Sequence, residues 1–396
     1  MTTPRVCIAT LLRPTGETGV QTHFNTFCEW AKQNGLEDVQ IVTPYAANRI
    51  IRGVVRRTVM LVGRYYDREV EILCKRQFSH FLLRRQLLAW LKTNSSSRNI
   101  IYAQDPLSAK AALVLKSHGH PMEVVLVIHF NISQAFEVVT RGRARERGRL
   151  WRNLVRLEEE VIPKVDRVIF SSRFMETQIL KRIPSAVTMP RWVIPNTIKD
   201  LAHSSVCRVS GDLITIGTIE PRKNQEYLVQ VLAEARRLGH KYRMTVVGDG
   251  EHKSKLMGLV SRLGMGEYVS FTGYVPHAQR LIGGHRVYAH AAVMDNLPHV
   301  LVEAMAGGKP VFAAPVGGIP EVFTDGLEGV YWSLDDPVEA ARKLVKVLED
   351  DALYNRMSKA ARTKYECHFT PEVLAPKFLA AVLGQDTLAR RGDGHN

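Results

Sequence analysis

The sequence predicts two α/β domains of the doubly wound type, and three observations lead to this fold class. Short runs rich in Val and Ile alternate with helical stretches along most of the 396 residues. This alternation is typical of a parallel sheet that is covered by helices on both faces. The length suits two ordinary domains better than one. The unusual residues gather just after the predicted strands, where open α/β sheets bind their ligands.

The first half opens with a strand over residues 5–11, and the helix that follows ends at Gly35. Further strands are predicted over 39–44, 99–104, 123–129 and 167–172. Each is a short β-branched run bounded by polar or turn-forming residues. We place 192–197 at the join between the domains. The N-terminal domain is therefore expected to cover residues 1–200.

The second half repeats the pattern more regularly. Its predicted strands are 213–217, 243–248, 268–273, 286–292, 309–314 and 329–332, and its predicted helices are 224–239, 252–264, 297–308 and 337–350. We expect a second domain over 201–370. Residues 371–396 are expected to form a helix that packs back on the N-terminal domain, followed by a flexible tail. A deep cleft between two such domains is the expected binding site.

Composition excludes several classes of protein. No apolar run is long enough for a membrane span, and the N-terminus lacks the charged, apolar and small-residue segments of a signal peptide. The five cysteines form neither a CxxC pair nor a metal-binding spacing. A sparse, odd set of cysteines is typical of a reducing compartment, so we expect a cytoplasmic protein.

Charge is unevenly distributed along the chain. Residues 1–200 carry 31 Lys and Arg against 17 Asp and Glu, a net charge of +14, whereas residues 201–396 carry 23 against 22. The basic residues concentrate in 50–92 and 140–161. We interpret these stretches as interfacial amphipathic helices on an anionic membrane surface. The alternative is an ordinary surface helix with a solvated loop. No nucleic-acid-binding motif accompanies the charge, so we expect no nucleic acid partner.

Polar residues and glycines follow the strands of the first half. Gly16 and Gly19, in "RPTGETGVQTH", would let the backbone approach a ligand at the start of a helix. His129, Asp105 and Asn196 each follow a predicted strand. Taken singly, each of these three is more often a structural residue than a ligand. The spacing is not GxGxxG, so this half alone is a weak signal.

The second half carries a stronger signal. In "GTIEPRKN", Arg222 and Lys223 stand together at the start of a helix, where cations oppose the helix dipole unless an anion is near. This placement favours a phosphate ligand. The later "VVGDGE" is interpreted as a plain tight turn.

The stretch "DNLPHVLVEAMAGG" starts at Asp295 and predicts a helix that Asn296 caps. The first amides of the helix, those of His299, Val300 and Leu301, would then face a diphosphate. Glu303 lies about one turn further along, where a carboxylate can accept two hydrogen bonds from a ribose. The alternative for Glu303 is a buried ion pair with Arg286 or Lys309.

Taken in order, these motifs resemble family 4 of the retaining GT-B glycosyltransferases. The resemblance covers most of the chain and is strongest from about 190 to 335, through "VIPNT", "IGTIEPRKN", "VVGDGE", "VSFTGYVP" and "DNLPHVLVEAMAGGKPVFAAPVGGIPEVFTDG". The first half contributes "ETGVQTH", the histidine after a strand, and "KVDRVIFSSRF". The family fold is GT-B, two Rossmann-like domains facing a deep cleft, with the donor held mainly by the C-terminal domain.

The resemblance implies roles for individual residues. Glu303 would hold the ribose hydroxyls, and Arg222 and Lys223 would neutralise the diphosphate leaving group. His129 would lie by the donor sugar, and Asp295 takes the place of the first Glu of the family's E-x₇-E pair. The remaining assignments are Gly16, Gly19, Thr218, Asn296, His299, Val300 and Leu301 on the donor side, and Gly19, His23 and Asp105 on the acceptor side.

Three departures from the family pattern stand out. Asp295 is one methylene shorter than the usual Glu, which bears on its contact with the sugar. Thr218 stands where many members have Arg, so the phosphate contacts would fall to Arg222 and Lys223. Gly308 stands where a Cys is frequent. None of them removes the leaving-group chemistry, so we expect an active enzyme.

The resemblance implies a retaining transferase that moves a hexose such as mannose or glucose from GDP-mannose or a UDP-hexose. No carboxylate-rich metal site is visible in the sequence, so we expect neither metal nor other cofactor. With the basic first half, we expect a lipid-linked or glycolipid acceptor, a peripheral position at the inner face of the cytoplasmic membrane, and a role in cell-surface polysaccharide or lipopolysaccharide synthesis. The alternatives are another GT-B enzyme such as a nucleotide-sugar epimerase, a catalytically silent sugar-nucleotide or lipid-binding protein, and a nucleic-acid binder supported by charge alone.

Overall fold

A computed structural model describes residues 4–16, 18–46, 53, 57, 67–93, 98–200 and 210–385. Much of residues 50–66, the first part of the basic stretch 50–92, and the tail after residue 385 therefore lie outside the described residues. The chain divides into two units. Unit 1 comprises Met1–Thr197 with Leu374–Asn396, and unit 2 comprises Ile198–Val373.

Unit 1 is built on a six-stranded parallel sheet. Its strands are β1 (Arg5–Ala9), β2 (Val39–Val42), β3 (Asn99–Ala103), β4 (Glu123–Ile128), β5 (Arg167–Phe170) and β6 (Arg191–Val193). They lie in the order β2-β1-β3-β4-β5-β6. Every residue of β1 and β3 is buried, because helices cover both faces of a parallel sheet. The strand order reverses between β1 and β3, which marks a switch point.

Side-chain caps start several helices of unit 1. The helices are α1 (Gly19–Gln33), α2 (Arg68–Lys92), α3 (Pro106–Ser117), α4 (Gln134–Thr140), α5 (Arg149–Val161) and α6 (Arg173–Arg182). Thr18 and Gln21 form a capping box at α1. Asp67 caps α2, and Asp105 caps α3, whose first residue is a proline. These caps place the helix starts directly after the preceding loops.

Unit 2 contains a second six-stranded parallel sheet. Its strands are β7 (Gly211–Ile216), β8 (Met244–Val247), β9 (Val269–Gly273), β10 (His285–His290), β11 (Val311–Ala313) and β12 (Gly329–Tyr331). Their order is β12-β11-β10-β7-β8-β9, so the switch point lies between β7 and β10. The helices of unit 2 are α7 (Gln225–Arg237), α8 (Lys253–Arg262), α9 (His299–Ala306), α10 (Pro337–Glu349) and α11 (Asp351–His368). The last helix, α12 (Pro371–Leu383), belongs to unit 1 from Leu374 onward.

The last helix, α12, fills the core of unit 1. Phe378 is fully buried. Its ring centroid lies 4.9 Å from that of His23, 5.0 Å from Phe27 and 5.2 Å from Tyr102. Arg98 donates a hydrogen bond of 2.9 Å to the carbonyl of Leu383. A segment from the end of the chain thus completes an aromatic cluster whose other members come from α1 and β3.

The predicted α/β fold with two parallel sheets is confirmed, and the predicted strand ends lie within two residues of the observed ones. Residues 191–193, of which 192 and 193 were expected in the domain join, instead form β6, the edge strand beside β5. Its half-buried residues pair with β5 along one side only, which is why the run reads as a linker.

The prediction that 140–161 forms an amphipathic helix with its apolar face on a membrane is wrong. Leu150, Leu154, Leu157 and Val161, the apolar face of α5, are buried inside unit 1. The alternative of an ordinary surface helix after a solvated loop therefore holds for α5. Within the described ranges, no helix has the length and apolarity that crossing a bilayer requires.

Candidate functional site

The switch point of unit 2 brings two loops to one edge of the sheet. β7 and β10 pair in parallel, so the residues after Ile216 and those after His290 leave the sheet side by side. The backbone joins the loops, since the amide of Val293 donates a 2.9 Å hydrogen bond to the carbonyl of Arg222. Ligands of open α/β sheets bind at this position.

The turn after β8 supports the loop after β7 by backbone contact. Gly248 has a φ of +134°, and a Cβ built on it would overlap the carbonyl oxygen of Gly217. The amide of Ile219 also donates a 3.0 Å hydrogen bond to the carbonyl of Asp249. "VVGDGE" is therefore more than a plain turn, because its first glycine lets the two loops lie against each other.

Lys223 and Asp295 form the centre of the site. Lys223 Nζ lies 2.6 Å from Asp295 Oδ2, and His290 Nε2 lies 3.3 Å from the same oxygen. Asp295 is only 8% exposed. Burial alone would raise the pKa of Asp295, but Lys223, His290 and Arg222 together hold it well below its ordinary value. Asp295 is therefore a carboxylate at neutral pH and orients the ammonium group of Lys223.

Arg222 is held by protein groups. Its guanidinium pairs with Glu220 at 2.9 Å, donates to the carbonyl of Met294 at 3.1 Å and lies 3.6 Å from Asp295 Oδ2. The side chain is 10% exposed. This placement argues for a brace between the two loops, and against the direct diphosphate contact that the sequence predicted for Arg222.

The N-terminus of α9 lies in the second loop. Its N-cap residue is Pro298, and no side chain among the described residues caps the helix. The cap predicted for Asn296 is wrong, because that residue is buried before the helix begins, with its amide 3.2 Å from Asp295 Oδ1. The amide of Leu301 is also taken, since it donates to the carbonyl of Pro298 at 3.1 Å. The positive end of the helix dipole, where His299 and Val300 lie, is the feature of this loop that suits an anion.

The histidines near Asp295 are neutral at physiological pH. Burial lowers the pKa of His299 to about 4, even though Asp295 opposes the shift. Burial and the nearby Lys223 also lower the pKa of His290. The positive charge of the site therefore comes from Lys223 and Arg222. Across the described ranges, no three His, Cys, Asp or Glu side chains group as a metal ion would require.

Glu303 lies one turn into α9 with its side chain partly buried. Burial raises its pKa to about 7. Within the described part of the chain it forms no ion pair, which removes the alternative of a salt bridge. Arg286 lies instead 3.8 Å from Asp212, and burial lowers the pKa of Lys309. The Glu303 carboxyl, a hydrogen-bond acceptor, is thus partly buried without a cationic partner among the described residues. Thr218, also predicted for the donor side, is exposed after β7.

In unit 1, the loop after β1 is braced by Gln21. The Gln21 side chain donates to the carbonyls of Arg13 and Thr15 at 2.8 and 3.2 Å. A Cβ at Gly16 would overlap the Gln21 side chain, so this glycine is required for the brace. Gly19 is the first residue of α1. The loop predicted to approach a ligand therefore lies at the start of a helix, with the amide of Gln21 taken by Thr18.

Two residues predicted for the acceptor side have structural roles. His23 is fully buried, with Nε2 3.0 Å from the hydroxyl of Tyr102 and Nδ1 accepting from the amide of Thr197 at 3.3 Å. Asp105 accepts from the amides of Leu107 and Ser108 as the cap of α3. These placements argue against direct acceptor contacts for His23 and Asp105.

His129 follows β4 directly and is half-buried. Its Nε2 lies 2.8 Å from Oε1 of Gln104, which follows the neighbouring strand β3. Because an amide oxygen only accepts, Nε2 carries the proton in this pairing. Sequence reasoning missed both Gln104 and His290. The signal that pointed to His129, a polar residue at a strand end, applies equally to them.

Two family models match the chain. The model described as "Glycosyl transferases group 1" matches residues 210–364. The model described as "Glycosyltransferase Family 4" matches residues 18–200. The first match contains both loops of the unit 2 site, and the second contains the loops after β3 and β4.

Curated relatives are similar over parts of the chain. The D-inositol 3-phosphate glycosyltransferase of Streptomyces avermitilis is 34% identical over 38% of this chain and 35% of its own length. The glycogen synthase of Mycobacterium tuberculosis is 25% identical over 77% of this chain and 75% of its own. A GDP-mannose-dependent phosphatidylinositol monomannoside mannosyltransferase of Mycolicibacterium smegmatis is 28% identical over 42% of this chain and 47% of its own. The chain thus spans less than half the length of two of these relatives.

Solved structures share the fold along nearly the whole chain. Sucrose-phosphate synthase from Thermosynechococcus elongatus has a TM-score of 0.74 at 15% identity, covering 96% of this chain and 98% of its own. Anabaena HepE in complex with UDP-glucose has a TM-score of 0.68 at 16% identity, covering 97% of this chain and all of its own. At such identities the likeness concerns the fold alone.

Proposed function

This chain belongs to family 4 of the GT-B glycosyltransferases, and on that premise we propose that it moves a hexose from a nucleotide-diphosphate sugar to a membrane-linked glycan acceptor, with retention of configuration. The donor is GDP-mannose or a UDP-hexose, and the product belongs to a cell-surface polysaccharide or lipopolysaccharide. Two similar proteins support these donor classes, since one is named as GDP-mannose-dependent and another is bound to UDP-glucose.

One arrangement carries the donor assignment. Lys223 lies in the first loop at the switch point of unit 2. The second loop leads into the N-terminus of α9, and the Glu303 carboxylate lies one turn into that helix. A nucleoside diphosphate presents two anionic phosphates next to a ribose diol. The phosphates complement the positive groups of this site, and the diol complements its carboxylate. The diphosphate meets the helix N-terminus and the ammonium group, and the ribose hydroxyls donate to Glu303.

Lys223 can serve both Asp295 and the donor. An ammonium group has three hydrogen-bond donors, and Asp295 takes one of them. The carboxylate therefore fixes where the cation points while leaving donors for a phosphate. When the bond to the sugar breaks, negative charge builds up on the departing diphosphate. A preorganised cation and helix dipole stabilise that charge, so no metal ion is needed in this proposal.

The acceptor hydroxyl attacks the anomeric carbon from the face that the nucleotide leaves, which retains configuration. The bond from the anomeric carbon to the diphosphate oxygen breaks as the new glycosidic bond forms. The departing phosphate takes the proton of the hydroxyl. The charge on this phosphate makes it a suitable base while Lys223 prevents excess charge from building up.

An arginine-rich surface supports a membrane-bound acceptor. In 141–156, the exposed arginines are Arg141, Arg143, Arg145, Arg147, Arg149, Arg152 and Arg156. Glu69 orders this segment, because its carboxylate accepts from the amides of Arg145 and Leu150 at 2.8 and 3.0 Å. Since the apolar face of α5 is buried, docking would be electrostatic. This favours a peripheral position at the anionic inner leaflet.

Thermal unfolding with UDP, GDP, ADP, CMP and their common sugar conjugates tests the donor site. A ligand at about a hundred times its dissociation constant adds about 2.7 kcal/mol of stability, which a melting curve resolves. Lys223→Met should weaken binding of the stabilising nucleotide about tenfold or more, since a hydrogen bond to a charged group is lost. Turnover with the conjugate of that nucleotide then identifies the sugar.

Lys343→Met is the matched control, because Lys343 is also paired with a carboxylate, that of Glu339 at 2.7 Å. It should bind the nucleotide as the wild type does. If no nucleotide shifts the melting curve, the donor site is wrong. Binding with isomerised sugar and no acceptor product would favour an epimerase, and binding without any turnover would favour a silent sugar-nucleotide-binding protein.

Co-sedimentation with vesicles tests the membrane surface. Wild-type protein should bind vesicles rich in phosphatidylglycerol at low salt and release them at high salt. Replacing Arg143, Arg145 and Arg147 by Gln should weaken binding by about fivefold per arginine. The same change at the exposed Lys241, Arg342 and Lys346 of unit 2 is the control. Equal binding by the two triple variants would contradict the assignment to this surface.

A further inference from the structure

The loop after β4 contains a strained turn. Ile132 has a φ of +56°, a left-handed conformation that a β-branched residue very rarely adopts. The amide of Ser133 donates to the carbonyl of Asn131 at 2.5 Å, which closes a three-residue turn around Ile132. Turns of this kind with positive φ are rare and strained. Such strain persists only where the surroundings impose it, and it is often found at functional sites.

A buried ion pair holds the turn in place through hydrogen bonds to its backbone. Glu158 on α5 is fully buried and pairs with Arg182, the last residue of α6. Arg182 also donates to the carbonyl of Ile132 at 3.2 Å. The other oxygen of Glu158 accepts from the amide of Gln134 at 2.7 Å. The pair therefore contacts the backbone on both sides of the turn: Arg182 binds the carbonyl of Ile132, and Glu158 binds the amide of Gln134, the first residue of α4.

Additional contacts fix the same turn. Glu137 accepts from both the backbone and the side-chain amide of Asn131, each at 3.1 Å. Arg76 on α2 donates to the side chain of Gln134 at 3.1 Å. Burial raises the pKa of Glu158 to about 7, even though both arginines lower it. Burying this carboxylate is costly, and an apolar residue could fill the same space at lower cost.

The strained turn begins two residues after His129, at the carboxyl end of β4. The intervening Phe130 is buried in the core of unit 1, so the segment has little freedom to absorb a shift at Ile132. We propose that Glu158 and Arg182 are positioning residues, which hold the Ile132 turn and thereby set the place of His129 in the active site. This inference rests on the proposed function, since it takes His129 to lie by the donor sugar, as the family resemblance implies.

Glu158→Gln tests the proposal, because it removes the charge while keeping the size of the side chain. The expected result is a fall in kcat of about 10- to 100-fold. Nucleotide affinity should stay unchanged, because the donor site belongs to unit 2. Glu160→Gln is the control on the same helix, since Glu160 pairs with Lys110 at 2.9 Å near the surface. It should leave kcat at the wild-type level.

A second substitution separates positioning from general stability. Glycine takes positive φ without cost, so Ile132→Gly removes the strain that the pair holds. Added to Glu158→Gln, it should restore kcat by about fivefold or more. A loss of kcat that glycine does not restore, together with a lower melting temperature, would reduce the pair to a structural role. Should Glu158→Gln fail to fold, Arg182→Lys replaces it, keeping a charge while losing the contact with Ile132.

Hydrogen exchange gives a readout that does not depend on turnover. The amide of Gln134 should exchange about tenfold faster or more in Glu158→Gln than in the wild type or in Glu160→Gln, since it donates to the Glu158 carboxylate that the substitution removes. Faster exchange in a protein without any transferase activity would show that the ion pair holds the turn and that the proposed function is wrong. Unchanged exchange and unchanged kcat would overturn the inference itself.

Discussion

At the scale of single residues, the site of unit 2 contains an ion pair, between Lys223 and Asp295, and a carboxylate, Glu303, that forms no ion pair with the described residues. Lys223 and Asp295 neutralise each other at 2.6 Å, and Arg222 braces the loops around them. Glu303, by contrast, has a pKa raised by burial to about 7. A carboxylate held in this way costs stability and gains it back when a ligand donates hydrogen bonds.

Glu303→Gln should have opposite effects on stability and on binding. The folded pKa lies above that of an unfolded glutamate, so the native state retains a proton longer and wild-type stability falls as pH rises from about 5 to about 7. The variant avoids this loss and should melt higher than the wild type at pH 8. It should bind the nucleotide about tenfold more weakly there, since hydrogen bonds to a charged acceptor are lost.

Melting curves and nucleotide titrations at pH 5.5 and pH 8 measure both effects. Glu339→Gln, a change on the outer helix α10, should alter neither. Wild-type affinity should increase through neutral pH as the carboxylate forms, whereas the affinity of Glu303→Gln should stay flat. Equal affinities of the two proteins at pH 8 would show that the ribose is bound elsewhere.

At the scale of elements, glycines decide how closely the loops at the sheet edge can approach. Gly317 has a φ of +61°, and a Cβ there would overlap the carbonyl oxygen of Asp295. Gly248 bears the same relation to Gly217, so that the turns after β7 and β8 support each other. Both contacts hold the residues of the donor site through their backbone. Neither contact can be predicted from the sequence around the glycine, because each depends on a backbone atom from a distant loop.

Gly248→Ala and Gly258→Ala should shift stability in opposite directions. The first introduces an overlap at positive φ and should cost about 2 kcal/mol or more. The second lies within α8 with no atom within 4 Å of the added carbon. It should stabilise the protein by about 0.5–1 kcal/mol, because alanine is the better helix former. Urea unfolding of both variants, followed by nucleotide titration, should also show weaker binding for Gly248→Ala alone.

At the scale of the whole molecule, the end of the chain returns to the first unit. Residues from Leu374 onward belong with unit 1, although unit 2 lies between them in sequence. The rings of Phe378, Phe27 and Tyr102 form one buried cluster. The stability of unit 1 therefore depends on residues more than 170 positions away from Thr197, where its main segment ends.

Phe378→Ala should destabilise unit 1 by about 3–5 kcal/mol, the usual cost of removing a buried phenylalanine. Hydrogen exchange should rise in peptides from α1, β1 and β3, while peptides from β7 and β10 keep their protection. Phe81→Ala is the matched control, because Phe81 is 41% exposed on α2. It should change stability by no more than about 0.5 kcal/mol. Unaltered exchange in α1 and β3 after Phe378→Ala would contradict this role of α12.

The sequence by itself determined the fold class and the loops that form the candidate site. Val- and Ile-rich runs are buried on both faces only in a parallel sheet, so their alternation with helices identifies the architecture. Polar residues after strands identify the edge of the sheet, because parallel strands all end there. Arg222 and Lys223 were found in this way, Glu303 was found from its place one turn into the predicted helix, and Asp295 was found from the family resemblance.

Only the tertiary structure decided which of those residues pair with each other. Asp295 faces Lys223 from 72 positions away, and Arg222 turns into the protein, because the order of β7 and β10 places their loops side by side. His23 was predicted at a ligand and is instead buried against Phe378, which α12 brings to it. Patterns in a sequence report periodicity and local chemistry, whereas partners across a parallel sheet depend on strand order. Strand order follows from the packing of the whole unit, and therefore no local stretch contains it.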